Sequence, residues 1–145
     1  WKLDARFRKA DLIARIERIS AEADRIELSN LDAAEFLNSK VDLLPARSLI
    51  YLDPPYYVKG RGLYQNHYVH DDHVKISTVV AGLKHQWIVS YDNVQEIKSM
   101  YKDFRQREFS LHYSAQRRVA GHEVMVFAKG LTVPQDISPS RSPSL

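Results

Sequence analysis

The chain of 145 residues contains no cysteine, so it can form neither disulfide bonds nor thiolate metal sites. No apolar run approaches the ~20 residues of a membrane-spanning helix, and the first residues lack the pattern of a signal peptide. Neither sign of charge dominates, because 21 Lys and Arg stand against 18 Asp and Glu, giving a formal net charge of +3. This slight excess is compatible with a phosphate-bearing partner without requiring one. A cytoplasmic protein is the default expectation.

Glycine is scarce as well, with five residues in the whole chain. None stands between a predicted strand and a predicted helix in the Gly-x-Gly pattern with which many α/β proteins bind a nucleotide. The six histidines lack the spacing of metal ligands. His70 and His73 are three residues apart and could pair at a metal, but a surface face of a helix is the better interpretation. We therefore predict no metal.

Apolar periodicity and turn residues predict helices that alternate with short strands. The predicted elements, in order, are a helix over 11–22 capped by Asp11, a strand at 26–28, a short helix capped by Asn30 or Asp32, a strand at 49–52, a loop over 57–69, a helix from Asp71 to about Leu83, a strand at 87–89, and a helix through Ile97 and Tyr101. Strands at 107–113 and 122–128 then form an antiparallel hairpin. This order predicts a three-layer α/β fold with parallel strands and crossover helices.

The most informative segment is Asp53-Pro54-Pro55-Tyr56, which directly follows the apolar run 49–52. The two prolines end strand pairing, because proline has no N–H and a fixed φ. In open α/β sheets, the carboxyl ends of the strands form the ligand-binding edge. There the Asp53 carboxylate and a prolyl carbonyl can accept the two N–H groups of an exocyclic amine, and the Tyr56 ring offers a face for stacking. The simpler alternative is a strand end followed by a proline-rich turn without a function. A given tetrapeptide occurs by chance in roughly one chain of this length in a thousand, so such a coincidence is rare but real.

Three further segments accompany this DPPY turn (residues 53–56). The next strand ends in Ser90-Tyr91-Asp92-Asn93, Asn66-His67-Tyr68 precedes the helix that contains His73, and residues 121–126 begin the last strand. In their order and spacing, these segments together with residues 52–60 resemble the Dam-like DNA adenine-N6 methyltransferases, which occur as solitary enzymes or in restriction–modification systems. The resemblance covers about residues 8–130.

The resemblance implies a Rossmann-like methyltransferase fold that closes with an antiparallel β hairpin. It also implies a mechanism, in which the target adenine is flipped out of double-stranded DNA and receives a methyl group from S-adenosylmethionine (SAM). Asp53, Pro54, Pro55 and Tyr56 would form the catalytic motif. Asp53 and the Pro54 carbonyl would bind the two N6 hydrogens, Asp53 would also lie at the cofactor, and Tyr56 would stack on the base. The expected location is the cytoplasm, in association with the nucleoid.

Two more polar residues correspond to family positions, and each has a structural alternative. Asp32 stands where the family has an acid for the adenine of SAM, but capping of the following helix is an equally good interpretation. Tyr91 ends the strand beside the Asp53 strand and could form a wall of the substrate pocket. A ring packed in the core explains Tyr91 equally well.

Basic residues flank the DPPY turn and the predicted hairpin. Lys59 and Arg61 follow the turn, and their position favours contact with DNA or with the active site. Arg117 and Arg118 lie in the connection between the hairpin strands, which resembles the hairpin that contacts the DNA backbone in the family. Such contacts give affinity without sequence choice. A solvated charged loop is the alternative, and for Arg117 and Arg118 taken alone it is favoured.

The resemblance lacks one part of the family pattern. These enzymes begin with a strand and a glycine-rich loop that receives SAM, and their target-recognition region also lies upstream. We therefore expect residues 1–131 to be the C-terminal part of a methyltransferase catalytic domain and residues 132–145, rich in Ser and Pro, to be a disordered tail. The edge of the Asp53 strand would then be open to self-association or to the missing part.

Three functions are compatible with these features. The first is site-specific methylation of adenine N6 in DNA, with this chain as the catalytic half. The second is a catalytically inactive DNA-binding or subunit-interface remnant of the same fold. The third, which the Asp form of the motif disfavours, is methylation of another planar amine, such as an RNA base or a glutamine side chain.

We predict that these 145 residues alone bind SAM weakly or not at all, because the glycine-rich loop is not in the sequence. Isothermal titration calorimetry with SAM checks this prediction. Micromolar binding to this chain would contradict it.

Overall fold

A computed structural model describes residues 7–58, 68–112 and 120–134, which divide between two compact units. The first unit, up to Leu31, contains helix α1 at Lys9–Ser20 and a 3-10 turn at Ala23–Arg25. The predicted cap is wrong, because the helix begins after Arg8 and Asp11 lies within its first turn. The predicted apolar stripe is present, but its members Leu12, Ile13, Ile16 and Ile19 are each at least 41% exposed.

The strand predicted at 26–28 is wrong. These residues pair with no described strand, and Leu28 is 93% exposed. A strand needs a partner for its backbone N–H and C=O groups, and a short apolar alternation supplies none.

The second unit begins at Asp32 and contains a four-stranded mixed sheet. Its strands are β1 at Leu49–Leu52, β2 at Gln86–Asp92, β3 at Arg105–His112 and β4 at Ala120–Phe127. Their order in the sheet is β1-β2-β4-β3, with β1 parallel to β2 and the other pairs antiparallel. The predicted β1 strand and the closing hairpin are confirmed. The connection of the hairpin at 113–119 lies outside the described residues.

Three α-helices accompany the described part of the sheet, namely α2 at Ala33–Ser39, α3 at His70–Ala81 and α4 at Gln95–Met100. A 3-10 turn at Val41–Leu43 follows α2. Helix α3 lies between β1 and β2 in the chain, as expected for the crossover between two parallel strands. It packs against both α2 and α4.

The core lies on one face of the sheet. On β1, Ile50 and Leu52 are both 9% exposed, whereas Leu49 and Tyr51 on the opposite face are 55% and 57% exposed. This alternation follows from the two-residue period of a strand. The largest fully buried side chains are Trp87, Tyr91, Tyr101, Ile76, Ile97 and His73.

The fold is thus mixed α/β and is consistent with the predicted methyltransferase architecture. Of the predicted tail, residues 132–134 are described, and Val133 among them is buried. No helix in the described ranges has the length and apolarity needed to cross a membrane.

Trp87 provides a test of this core. It is 2% exposed and its ring packs edge-on against Phe104, with 4.9 Å between the ring centroids. We expect Trp87→Ala to lower the free energy of unfolding by about 3–5 kcal/mol, because it removes a large buried ring and leaves a cavity. Leu28→Ala, at a position 93% exposed, should change it by less than about 0.5 kcal/mol. Urea unfolding followed by circular dichroism measures both, and equal losses would contradict the described core.

Candidate active site

The DPPY turn begins where β1 ends, and its acid is held from the neighbouring strand. The Ser90 hydroxyl on β2 donates a hydrogen bond of 2.7 Å to Oδ1 of Asp53. The hydroxyl of Tyr51 lies 2.9 Å from the same Ser90 oxygen. Because Ser90 has a single proton and directs it at the carboxylate, Tyr51 is the donor to Ser90. The result is a chain of hydrogen bonds from Tyr51 through Ser90 to Asp53.

This chain of hydrogen bonds orients the Asp53 carboxylate. Oδ1 is occupied by Ser90, and Oδ2 has no hydrogen-bond partner within the residues that the structure describes. Asp53 is exposed, so its second oxygen is accessible to a ligand. Hydrogen bonds in series strengthen one another at low dielectric, and Ser90 is only 3% exposed. The arrangement presents one fixed acceptor at the carboxyl end of β1.

The aromatic residue of the turn is held by its hydroxyl. Tyr56 is partly buried, and its hydroxyl donates a 2.7 Å hydrogen bond to Oε1 of Glu123 on β4. A phenol anchored at its far end keeps the orientation of its ring, which suits it to stacking against a flat ligand.

Backbone amides just after the turn bind a second acid. Asp92, the last residue of β2, accepts the Tyr57 N–H at Oδ1, at 2.8 Å, and the Val58 N–H at Oδ2, at 3.0 Å. Both carboxylate oxygens are therefore used on consecutive amides. Hydrogen bonds to a charged acceptor are about twice as strong as neutral ones.

The surface position predicted for His73 is wrong, because this histidine lies among tyrosines on the core side of β2. His73 of α3 is 1% exposed, and the ring centroids of Tyr57, Tyr68 and Tyr91 lie 5.1, 5.5 and 5.5 Å from its own. Its Nδ1 is 3.2 Å from the Tyr91 hydroxyl. Burial lowers the pKa of His73, an effect that the nearby carboxylates of Asp92 and Asp72 oppose and His70 reinforces.

The sequence left two interpretations of Tyr91 open, and its position supports the packed ring. Tyr91 is 0% exposed, and burial raises the pKa of its hydroxyl. A role of Tyr91 in the substrate pocket stays a prediction.

Asp32 caps α2, which is one of the two interpretations of this residue. Its Oδ1 accepts the Ala34 N–H at 2.9 Å and the Glu35 N–H at 3.4 Å. Its other oxygen accepts the Tyr68 hydroxyl at 3.3 Å. Burial, followed by the charge of Asp32, raises the pKa of Tyr68 to about 12.

A small cavity of about 80 Å³ lies beside this pair of residues. It is lined by Asp32, Ala34, Tyr68, Asp72, Lys75 and Ile76. A cavity of this size suits a small polar group and not a whole nucleoside. Tyr68 stays protonated at neutral pH and donates its one proton to Asp32, so its oxygen can accept a hydrogen bond from such a group.

Comparison with known proteins identifies the family. A family model of the D12 class N6 adenine-specific DNA methyltransferases matches residues 4–119. The chain belongs to this family. No curated protein sequence shows significant similarity to it. The resemblance to Dam-like enzymes is therefore confirmed at the level of the family.

For a D12 class member, the structure brings together part of the predicted site. Asp53, Pro54, Pro55 and Tyr56 form one turn, and Asp32 lies beside a separate small cavity. The basic residues Lys59, Arg61, Arg117 and Arg118 lie outside the described residues. Within the ranges that the structure covers, no group of three or more His, Asp or Glu side chains is placed to hold a metal ion.

Three residues form hydrogen bonds to the segment 53–58 that the sequence did not predict, namely Ser90, Asp92 and Glu123. All three lie in sequence segments that carry the family resemblance. However, a sequence does not show which amide or hydroxyl a carboxylate contacts. The available signal was the alternation of β2, which places Ser90 and Asp92 on one face and Tyr91 on the other.

The lowered pKa of buried His73 predicts a dependence of stability on pH. The unfolded chain protonates His73 near its ordinary value of 6.5, whereas the folded chain resists protonation. The free energy of unfolding should therefore fall as the pH drops through this value. Chemical unfolding between pH 7.5 and 5 measures the slope. It should be smaller in His73→Phe and unchanged in His122→Gln, which alters an exposed histidine. An equal slope in His73→Phe would contradict the assignment.

Proposed function

We propose that this chain provides the base-binding part of a methyltransferase that transfers a methyl group from SAM to N6 of adenine in double-stranded DNA. The observation that carries the proposal is the presentation of Asp53. Ser90 holds one carboxylate oxygen, the other is exposed at the carboxyl end of β1, and an anchored tyrosine ring lies three residues further on. The family match over residues 4–119 supports adenine as the base.

In the proposed complex, the flipped adenine presents two N6 hydrogens. Asp53 accepts one of them through its available oxygen, and the Pro54 carbonyl accepts the other. These two hydrogen bonds fix the orientation of the N6 amine, so that its lone pair is held toward the methyl group of SAM. Holding reactants in such a geometry is a major source of catalysis.

The lone pair of N6 then forms a bond to the methyl carbon as the bond from that carbon to sulfur breaks. Positive charge develops on N6 and is stabilised by the neighbouring Asp53 carboxylate. One N6 proton leaves afterwards, so the product amine is neutral. SAM supplies the methyl group and leaves as the neutral thioether.

Tyr56 would stack on the flipped base. Base–aromatic stacking contributes ~1–3 kcal/mol per base in comparable sites. Because the Tyr56 hydroxyl is bound to Glu123, little additional ordering of the ring is needed when the base arrives. This is preorganisation of a contact, which lowers the entropic cost of binding.

The remaining proposed roles concern the cofactor and the DNA backbone. Asp32, with Tyr68 beside it, would bind the exocyclic amine of the adenine of SAM, and only this small polar group would enter the cavity next to α2. Lys59, Arg61, Arg117 and Arg118 would contact DNA phosphates. Each such contact makes affinity more dependent on salt and leaves sequence choice unchanged.

A second candidate function is a DNA-binding or subunit-interface protein without methyltransferase activity. The feature that favours it is the scarcity of glycine, with none in a strand–Gly-x-Gly–helix context. SAM binding separates the two candidates, since only the enzyme requires it.

Asp53→Ala tests the proposed reaction. It should lower methylation by at least ~100-fold, the effect typical of losing a group that stabilises developing charge. The exposed Asp42→Asn is the matched control and should retain activity. The assay expresses the whole open reading frame that encodes this chain, and scores DNA by methylation-sensitive digestion and by incorporation of labelled methyl groups.

The circular dichroism spectrum should be the same in both variants, because Asp53 is exposed and buries no apolar surface. Full methylation by Asp53→Ala would overturn the proposed function. Binding to DNA by the unmodified protein, without SAM binding and without methylation, would favour the second candidate.

A further inference from the structure

We propose that Asp92 and Glu123 are positioning residues that fix the DPPY turn from the two central strands of the sheet. We call this pair the acid clamp. Its importance for methylation rests on the proposed function, whereas its mechanical role follows from the contacts alone. Neither carboxylate needs to touch the substrate.

The acid clamp is an unusual use of buried charge. Asp92 and Glu123 are directly opposite each other on the antiparallel strands β2 and β4, and they are 5% and 6% exposed. Like charges opposite each other in a sheet are destabilising, and buried carboxylates are costly unless they are well hydrogen-bonded. A pair that serves only the stability of the sheet would be replaced favourably by apolar residues. The pair therefore points to a requirement outside the sheet.

The hydrogen bonds of the clamp show what that requirement is. Asp92 binds the amides of Tyr57 and Val58, and Glu123 binds the hydroxyl of Tyr56. All three of these hydrogen bonds thus lead to residues 56–58. Two neighbouring strands converge on the single segment that leaves the catalytic motif.

The prolines explain why side chains are used for this purpose. Pro54 and Pro55 have no N–H, so the turn cannot be attached to the sheet by continued ladder hydrogen bonds. The next available donors along the chain include the amides of Tyr57 and Val58. Asp92 accepts both, and in this way it replaces the backbone acceptors that the prolines make unusable.

The same strand holds both ends of the turn. Ser90 binds Asp53 before the prolines, and Asp92 binds the two amides after them. Ser90 and Asp92 are two residues apart on β2 and so share one face of the sheet. The distance between Asp53 and the backbone that follows Tyr56 is therefore set by β2. Displacements of about 1 Å in such geometry can reduce rates ~100-fold.

Amide hydrogen exchange tests the mechanical part of the proposal on the 145-residue chain itself. Asp92→Asn keeps the size of the side chain but replaces one acceptor oxygen by an NH₂ group, which cannot accept an N–H. We expect exchange at Tyr57 or Val58 to become about 10-fold faster or more, since a hydrogen bond to a charged group is lost. Amides of the β2–β4 ladder, such as Val89, should change much less. Asp103→Asn, at an exposed turn, is the control.

Kinetics of the protein from the whole open reading frame test the use of the clamp. Asp92→Asn, Glu123→Gln and Tyr56→Phe should each lower kcat about 10-fold with little change in KM for DNA, because the ring and Asp53 remain but are less well oriented. Glu123→Gln combined with Tyr56→Phe should be no slower than Tyr56→Phe alone, since the hydrogen bond that Glu123→Gln weakens is already absent without the Tyr56 hydroxyl. Glu96→Gln, exposed on α4, should have no effect.

The outcomes separate the clamp from the proposed function. Unchanged exchange at Tyr57 and Val58 in Asp92→Asn would overturn the clamp. Uniformly faster exchange throughout β2 and β4 would overturn it too, because it would indicate a general loss of stability. Faster exchange confined to Tyr57 and Val58 in Asp92→Asn, together with no methylation by the unmodified protein, would support the clamp and count against the proposed function. If the unmodified enzyme is active and Asp92→Asn keeps its kcat although exchange at Tyr57 and Val58 is faster, the positioning role would be overturned.

Discussion

The two hydrogen bonds from the Tyr57 and Val58 amides to Asp92 are the interaction on which the candidate site depends. Without them, the Tyr57 and Val58 amides that follow the two adjacent prolines would lose their acceptors on β2. With them, the acid at the end of β1 and the ring three residues later have fixed positions relative to β2. Rigidity at this point comes from side-chain acceptors, and those acceptors are buried.

Alternate residues of β2 face either the core or the candidate site. Along β2, Trp87, Val89 and Tyr91 face the core, whereas Ser90 and Asp92 face the turn. The face that stabilises the fold and the face that organises the chemistry are thus the two sides of a single seven-residue element. A change that shifted the register of β2 by one residue would exchange these roles completely.

The sequence was informative where a pattern has one physical interpretation. An apolar run followed by two prolines ends a strand, and Asp32 before a helical segment acts as a cap, so β1 and α2 were predicted correctly. The strand predicted at 26–28 was wrong, because alternation does not specify a partner. Tyr91 was ambiguous because it stands near the end of the predicted strand, where a side chain can pack in the core or face a pocket. The strand continues to Asp92, and its two-residue period places Tyr91 on the core face, opposite to Ser90 and Asp92.

The position of Glu123 has a consequence for communication within the molecule. Glu123 holds the Tyr56 ring, and it lies near the start of β4, only a few residues after Arg117 and Arg118 in the hairpin connection. Within the described residues, Glu123 pairs with Asp92 on β2 and with Phe109 on β3. A displacement of either neighbouring strand relative to β4 would therefore reach the anchor of the Tyr56 ring.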